Sequence, residues 1–222
     1  MMKSKSLELS DYDDLQEGIA EINHAICRTR GGGFKVYVPH EHRYWEYASA
    51  LEVARGRKID LAVDIGCGFS ALGPALCYQQ PLATVVECDP SPAVREDRSN
   101  IESGMNLNLL SDGSALMDLS DTYDAVFSIS VMEHIPQADQ QAAWDKLISL
   151  VAPGGLLFVT VDYSEQIIFG TEGERETYYN PTMLKAIINT LVDAGFSIEW
   201  DLTYHGSFVK DYTFFRIIAE RP

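Results

Sequence analysis

The chain has 222 residues, 46% of them hydrophobic and 23% charged, which excludes a disordered protein and suits one core-bearing domain. Seventeen Lys and Arg stand against 33 Asp and Glu, a net charge of -16, so DNA or RNA is a poor partner. The single basic stretch, RTRGGGFK at Arg28–Lys35, is short and reads as a flexible loop.

The four cysteines, Cys27, Cys67, Cys77 and Cys88, form no Cys-x-x-Cys pair, and no histidine lies at zinc-finger spacing from them. They read as reduced, mostly buried thiols of a cytoplasmic protein. The N-terminal MMKSKSLELSDYDD lacks the apolar segment of a signal peptide. No apolar run approaches the roughly 20 residues of a membrane span, so no membrane partner is expected.

In chain order, the first element is a helix in DDLQEGIAEINHAI, where Leu15, Ile19, Ile22 and Ile26 share one face. Gly31–Gly33 ends it. A second helix covers EHRYWEYASALEVARG and stops at Gly56. Then come short apolar runs: IDLAVDIG, LATVVECD, LNLL, YDAVFSIS and GLLFVTVD. Runs apolar on both faces suit a parallel sheet covered by helices on each side. The intervening helices open at Ser91-Pro92, at Asp139 and at Asn180-Pro181, and the last two stop at Pro153-Gly154-Gly155 and at Gly195. The final runs, FSIEWDLTYHG and DYTFFRIIAER, leave no room for a helix between them and predict an antiparallel pair. The fold class is therefore α/β, doubly wound and mostly parallel.

Ligands of such sheets bind outside the carboxyl ends of the strands. Asp64-Ile65-Gly66-Cys67-Gly68 lies at one such end. Gly66 and Gly68, flanking Cys67, can take positive φ and let a ligand approach the main chain. The same residues with Ala71 fit the Gly-x-Gly-x-x-Gly/Ala turn of dinucleotide proteins, where a helix N-terminus receives a pyrophosphate. Asp64 puts negative charge there, which a sulfonium or ammonium ligand suits better. Asp89 ends the next strand, 89 − 66 = 23 positions beyond Gly66, where an acid can accept both hydroxyls of a ribose. Glu87 is the neighbouring alternative, and Pro90 follows at the turn. Asp112, before Gly113 and after the third run, can accept an exocyclic amine.

Five segments in order, VDIGCG, ECDPSP, SDGSAL, YDAVFSISVMEHI and APGGLLFVT, resemble the class I S-adenosylmethionine-dependent methyltransferases. The resemblance covers about Leu61 to Val161. It implies a seven-stranded Rossmann-like sheet with a reversed last strand and S-adenosylmethionine as cofactor. Gly66, Cys67 and Gly68, with Asp64 beneath them, would border the methionyl part. Asp89, with Pro90 beside it, would hold the ribose hydroxyls. Asp112 and Gly113 would face adenine, and Ser130 would line the floor near the sulfonium. HRYWEYASAL also resembles a segment preceding the sheet in some of these enzymes from polysaccharide gene clusters, and its Arg43 could pair with the methionine carboxylate.

The expected reaction is methyl transfer to a small-molecule or carbohydrate-type acceptor, at oxygen, with no metal. His134 follows the fourth strand and is the candidate base. Glu133 stands beside it, and Asp162 and Tyr163 are further candidates. Two readings remain beside this one: an NAD(P)-dependent oxidoreductase and a non-catalytic cofactor-binding protein of the same fold. Residues 1–57 read as a helical cap and 58–222 as the catalytic domain, with a lid-like insert at 163–179.

Overall fold

The computed structural model describes residues 20, 41–96, 108–164, 178–203 and 213–222. Its seven strands form the mixed, doubly wound α/β sheet expected, with the last strand antiparallel to its neighbours. The described residues fall into two compact units, within Ser6–Asp118 and within Leu119–Pro222.

The first unit holds helix α1 (Glu41–Arg55), strand β1 (Leu61–Ile65), helix α2 (Leu72–Gln79), β2 (Thr84–Cys88) and β3 (Leu109–Asp112). Its strands run parallel in the order β3-β2-β1. Ala62, Val63, Ile65, Val85 and Cys88 are buried, so side chains of β1 and β2 enter packed layers on both faces. Helix α1 packs on α2. Gln80, at the end of α2, donates through Nε2 to the Ala54 carbonyl at 2.7 Å, satisfying one of the orphan acceptors that end α1. Residues 92–96 are helical and begin at Pro92, as expected of a proline at a first helical position.

Helix α2 is an element that sequence reading did not mark. Gly73 and Pro74 look like breakers, yet both lie in its first turn, where proline loses no intrahelical hydrogen bond.

The second unit holds β4 (Tyr123–Ile129), α3 (Gln140–Leu150), β5 (Val151–Tyr163), α4 (Pro181–Asp193), β6 (Ser197–Thr203) and β7 (Thr213–Glu220). Within it the order is β4-β5-β7-β6. β4 and β5 are parallel, while β7 is antiparallel to both β5 and β6. The apolar centre stacks across the register: Phe127 on β4 opposes Phe158 on β5, ring centroids 6.1 Å apart.

Helix α4 starts where Asn180 Oδ1 accepts from the amides of Thr182 and Met183, at 3.0 and 3.1 Å. It buries Leu184, Ile187 and Leu191 on one face. Each such side chain contributes about 1.5–3 kcal/mol, and Leu191→Ala would remove about 2–5 kcal/mol through lost transfer energy and a residual cavity. β5 starts at Val151, four residues earlier than the apolar run GLLFVTVD suggested. The Pro153-Gly154 bend is accommodated by a shift of register against β4 between Tyr123 and Ala125.

Candidate functional site

The first unit brings together the strand-end residues singled out above. β1 ends at Ile65, and Gly66 and Gly68 follow with φ of 65° and 51°. Both lie in the left-handed region, which glycine enters without steric cost. The amides of Gly66 and Cys67 donate to the Cys88 carbonyl at 2.8 and 3.3 Å, so the loop folds over the end of β2. A Cβ built on Gly68 meets no atom closer than Gly66 O at 4.0 Å, leaving the main chain approachable.

Asp89 ties this loop to the next helix. Its Oδ2 accepts from the Gly68 amide at 3.1 Å and its Oδ1 from the Ser91 amide at 2.8 Å. A carboxylate has about four acceptor positions, so these two bonds leave capacity for a vicinal diol. Asp112 is built the same way: Oδ1 accepts from Ser114 N at 2.9 Å, and its main-chain oxygen accepts from Asp89 N at 3.1 Å. Gly113 lies against the exposed side chain of Arg95, which would have to shift to admit a Cβ there. Pro90 is exposed at this edge.

Beneath the loop the environment is acidic and dry. Asp64 is 2% exposed, and its Oδ2 accepts from the Ser70 hydroxyl at 3.3 Å. That hydroxyl accepts in turn from Leu72 N, the first amide of α2, at 3.2 Å. Asp64 therefore supports the loop and the helix start from inside. Cys88 points towards β3 and donates through Sγ to the Ser114 carbonyl at 2.8 Å. Burial pushes its thiol up to about 12, with the charges of Asp112, Asp89, Asp64 and Asp118 adding to the effect. Cys67, Cys77 and Cys88 are all buried free thiols.

In the second unit, Ser130 follows the end of β4, and its φ of 49° is the single positive φ of a non-glycine residue among those described. Its amide donates to Thr160 O at 3.0 Å. A turn of 3-10 helix, Met132–His134, follows. It turns Glu133 inward, 1% exposed, and His134 outward. Gln140 on α3 clamps this turn: Nε2 donates to Met132 O at 3.2 Å and to Ile135 O at 3.1 Å. One turn further along α3, Trp144 donates through Nε1 to the buried Tyr179 hydroxyl at 3.2 Å. Burial, with a smaller contribution from the charge of Glu133, raises the Tyr179 phenol above its usual range.

Asp162 and Tyr163 are buried at the end of β5. Tyr179 bridges to Tyr163, its amide donating to Asp162 O at 2.8 Å and its carbonyl accepting from Ser164 N at 2.9 Å. Of the lid-like insert read at 163–179, the ends at Tyr163, Ser164 and Tyr179 are buried, and 165–177 lie outside the described residues, as do the basic stretch 28–35, the first helix apart from residue 20, and the side chain of Arg43. Among the described residues no helix is long and apolar enough to cross a membrane. Sequence reasoning missed Gln140 and Gly73, because neither belongs to a recognisable pattern until its three-dimensional neighbour is known.

Positive-φ glycines at one strand end and a carboxylate at the next stand at the carboxyl edge of a Rossmann-like sheet, where ligands of such folds bind. A family of methyltransferase domains matches residues 63–157. The ubiquinone biosynthesis O-methyltransferase of Xylella fastidiosa (strain 9a5c) is 29% identical over 100 residues, 44% of this chain and 40% of that protein. The chain thus spans about two fifths of the curated relatives it matches. The magnesium protoporphyrin IX methyltransferase of Synechocystis PCC 6803, solved with S-adenosylhomocysteine, superposes with a TM-score of 0.62 at 20% identity, covering 99% of this chain and 90% of that one. The [4+2]-cyclase SpnF superposes at 0.63 with 14% identity, covering 98% of each. Over residues 63–157 the chain is thus similar to methyltransferase domains, and its fold is that of S-adenosylmethionine-dependent methyltransferases.

Proposed function

We propose that this protein transfers the methyl group of S-adenosylmethionine to an oxygen of a small-molecule or carbohydrate-type acceptor. The observation that carries the cofactor half is the Asp89–Gly68 bond beside glycines of positive φ. It holds a half-filled carboxylate against open main chain, as a ribose diol and an aliphatic chain require. The name of the Xylella relative supports an oxygen acceptor and a small molecule.

Bound S-adenosylmethionine supplies a methyl carbon already activated by its sulfonium. Asp89 would accept the ribose hydroxyls, with Pro90 lining the turn. Asp112, with Gly113 beside it, would accept the adenine amine. Gly66, Cys67 and Gly68 would border the methionyl chain over Asp64, and Arg43 would pair with its carboxylate. At the end of β4, Ser130 would face the reacting centre. His134, turned outward, would take the acceptor hydroxyl proton, and the buried Glu133 would hold the turn that presents it. The in-line displacement then needs only alignment and exclusion of water.

Two measurements test this. Calorimetric titration with S-adenosylhomocysteine should show binding and titration with NAD none. Binding of NAD alone would overturn the reading in favour of an oxidoreductase. Labelled S-adenosylmethionine offered with hydroxylated aromatic and sugar acceptors should then yield a methylated product. The likeness to a cyclase gives the second reading a footing: cofactor binding with no transfer to any acceptor would point to a protein that uses the fold for something else.

A further inference from the structure

The first turn of α2 is engaged from below by two acids. Asp64 and Glu87 are direct register partners on the parallel strands β1 and β2, so their side chains leave the same face about 4.8 Å apart. Both are buried, at 2% and 1% exposure. Asp64 reaches the first amide of α2 through the Ser70 hydroxyl. Glu87 reaches the second residue of α2 directly. Its carboxylate lies so close against Gly73 that any Cβ there would collide with Oε1 and Cδ. Gly73 is thus the notch that admits this carboxylate. The charge of Glu87 is also felt by Cys77 on the same helix, whose thiol burial pushes up to about 12.

A helix N-terminus that follows a Gly-x-Gly loop is elsewhere a receptor for pyrophosphate, through its free amides and positive dipole end. Here that end is already met by carboxylates. We propose that the Asp64–Glu87 pair sets the ligand specificity of this edge: it makes the loop reject a 5′-pyrophosphate while accepting a nucleoside whose 5′ substituent is neutral or cationic. The inference rests on the adenosyl-cofactor reading and goes further, by naming what excludes the dinucleotides that share the Gly-x-Gly-x-x-Ala pattern.

The test compares adenosine with ADP, which share the nucleoside and differ in the pyrophosphate. Titrations run at 0.3 M salt, roughly, screen the general negative field of the protein more than a buried pair. The wild-type protein should bind ADP more than about tenfold more weakly than adenosine. Glu87→Gln should shrink that ratio. Asp64→Asn/Glu87→Gln, which replaces both acids by neutral amides, should bring it close to unity. Asp193→Asn, which removes an exposed acid on α4, should leave it unchanged. S-adenosylhomocysteine binding reports whether the pocket survives each substitution; if the double variant does not fold, the single one decides. An unchanged ratio in variants that still bind adenosine overturns the inference, as does equal wild-type affinity for the two probes. Failure of the wild type to bind either adenosine or S-adenosylhomocysteine overturns the cofactor reading itself, and the inference with it.

Discussion

The carboxylate of Asp89 accepts a hydrogen bond from the amide of Gly68 across 3.1 Å, fastening the loop after β1 to the end of β2. One side chain thus fixes the loop and offers its remaining lone pairs to a ligand. Asp89→Ala should weaken S-adenosylhomocysteine binding by at least about 1 kcal/mol, with a loss of stability from the amides of Gly68 and Ser91 left without their acceptor. Asp89→Asn, which keeps an acceptor oxygen, should recover part of the stability and less of the affinity. Calorimetry beside urea unfolding separates the two effects. Unchanged affinity in Asp89→Ala would sink the ribose assignment.

Gly73 should tolerate no side chain while Glu87 is present. A Cβ would collide with Glu87 Oε1, so Gly73→Ala should cost about 1–3 kcal/mol through overpacking. Shortening the opposing residue with Glu87→Ala should return part of that loss. A double-mutant cycle from urea midpoints should show a coupling of about 0.5–3 kcal/mol. Simple additivity would mean that the two residues do not press on each other.

Ser130 holds a left-handed backbone at φ 49°, which costs a side-chain-bearing residue roughly 1–2 kcal/mol. Ser130→Gly should be neutral or stabilising by up to about 1 kcal/mol, the relief partly offset by the flexibility glycine adds to the unfolded chain. Ser130→Val, β-branched, should destabilise by at least about 1 kcal/mol. Thermal denaturation of the pair reads the sign directly.

Gln140→Leu keeps the volume and removes the donor. The carbonyls of Met132 and Ile135 would both lose the Gln140 amide; Met132 O keeps the Ile135 amide, so the cost falls mainly on Ile135 O, at about 1–3 kcal/mol. The turn bearing Glu133 and His134 should loosen, seen as faster amide exchange at His134, whose N–H bonds to Val131 O within the turn. Unaltered exchange there would show that the clamp has no bearing on the turn.

Alkaline pH should unfold the protein through its buried thiols. Burial raises Cys77 and Cys88 from 9.0 to about 12, and it raises Tyr179 as well. Above pH 9 or so the unfolded thiols lose protons while the folded ones keep them, so the folded state binds more protons and stability falls as pH rises. The contribution is complete below the unfolded value and gone once pH passes the folded one. Urea midpoints should decline from pH 9 towards pH 12, and less steeply in Cys88→Ser. Both thiols should also resist alkylation at pH 8, since the thiolate is the reactive form.

Much of this was legible in sequence because burial on both faces leaves a plain mark: LAVDI, TVVEC and FVTV could be read as inner strands. Asn180-Pro181 announced α4 through capping chemistry that is local by nature. The order of Asp64, Asp89 and Asp112 along three strand ends was likewise readable. Helix α2 was not, since Gly73 is there for Glu87, fourteen positions away, and only the β1–β2 register brings that carboxylate under the helix. Glu133 and His134 were legible as a pair, but their opposite orientation depends on the 3-10 turn that Gln140 closes from a later helix.

β7 follows β6 in the chain yet lies between β5 and β6 in the sheet. A nascent chain that has emerged only as far as Thr203 therefore has β6 made but no neighbour for it to join. The flank of β5 that will take eight register partners from β7 remains open as well. On the ribosome, the second unit has to wait for residues 213–220 before either edge closes, and that interval, when apolar strand edges are bare, is when a chaperone would matter most.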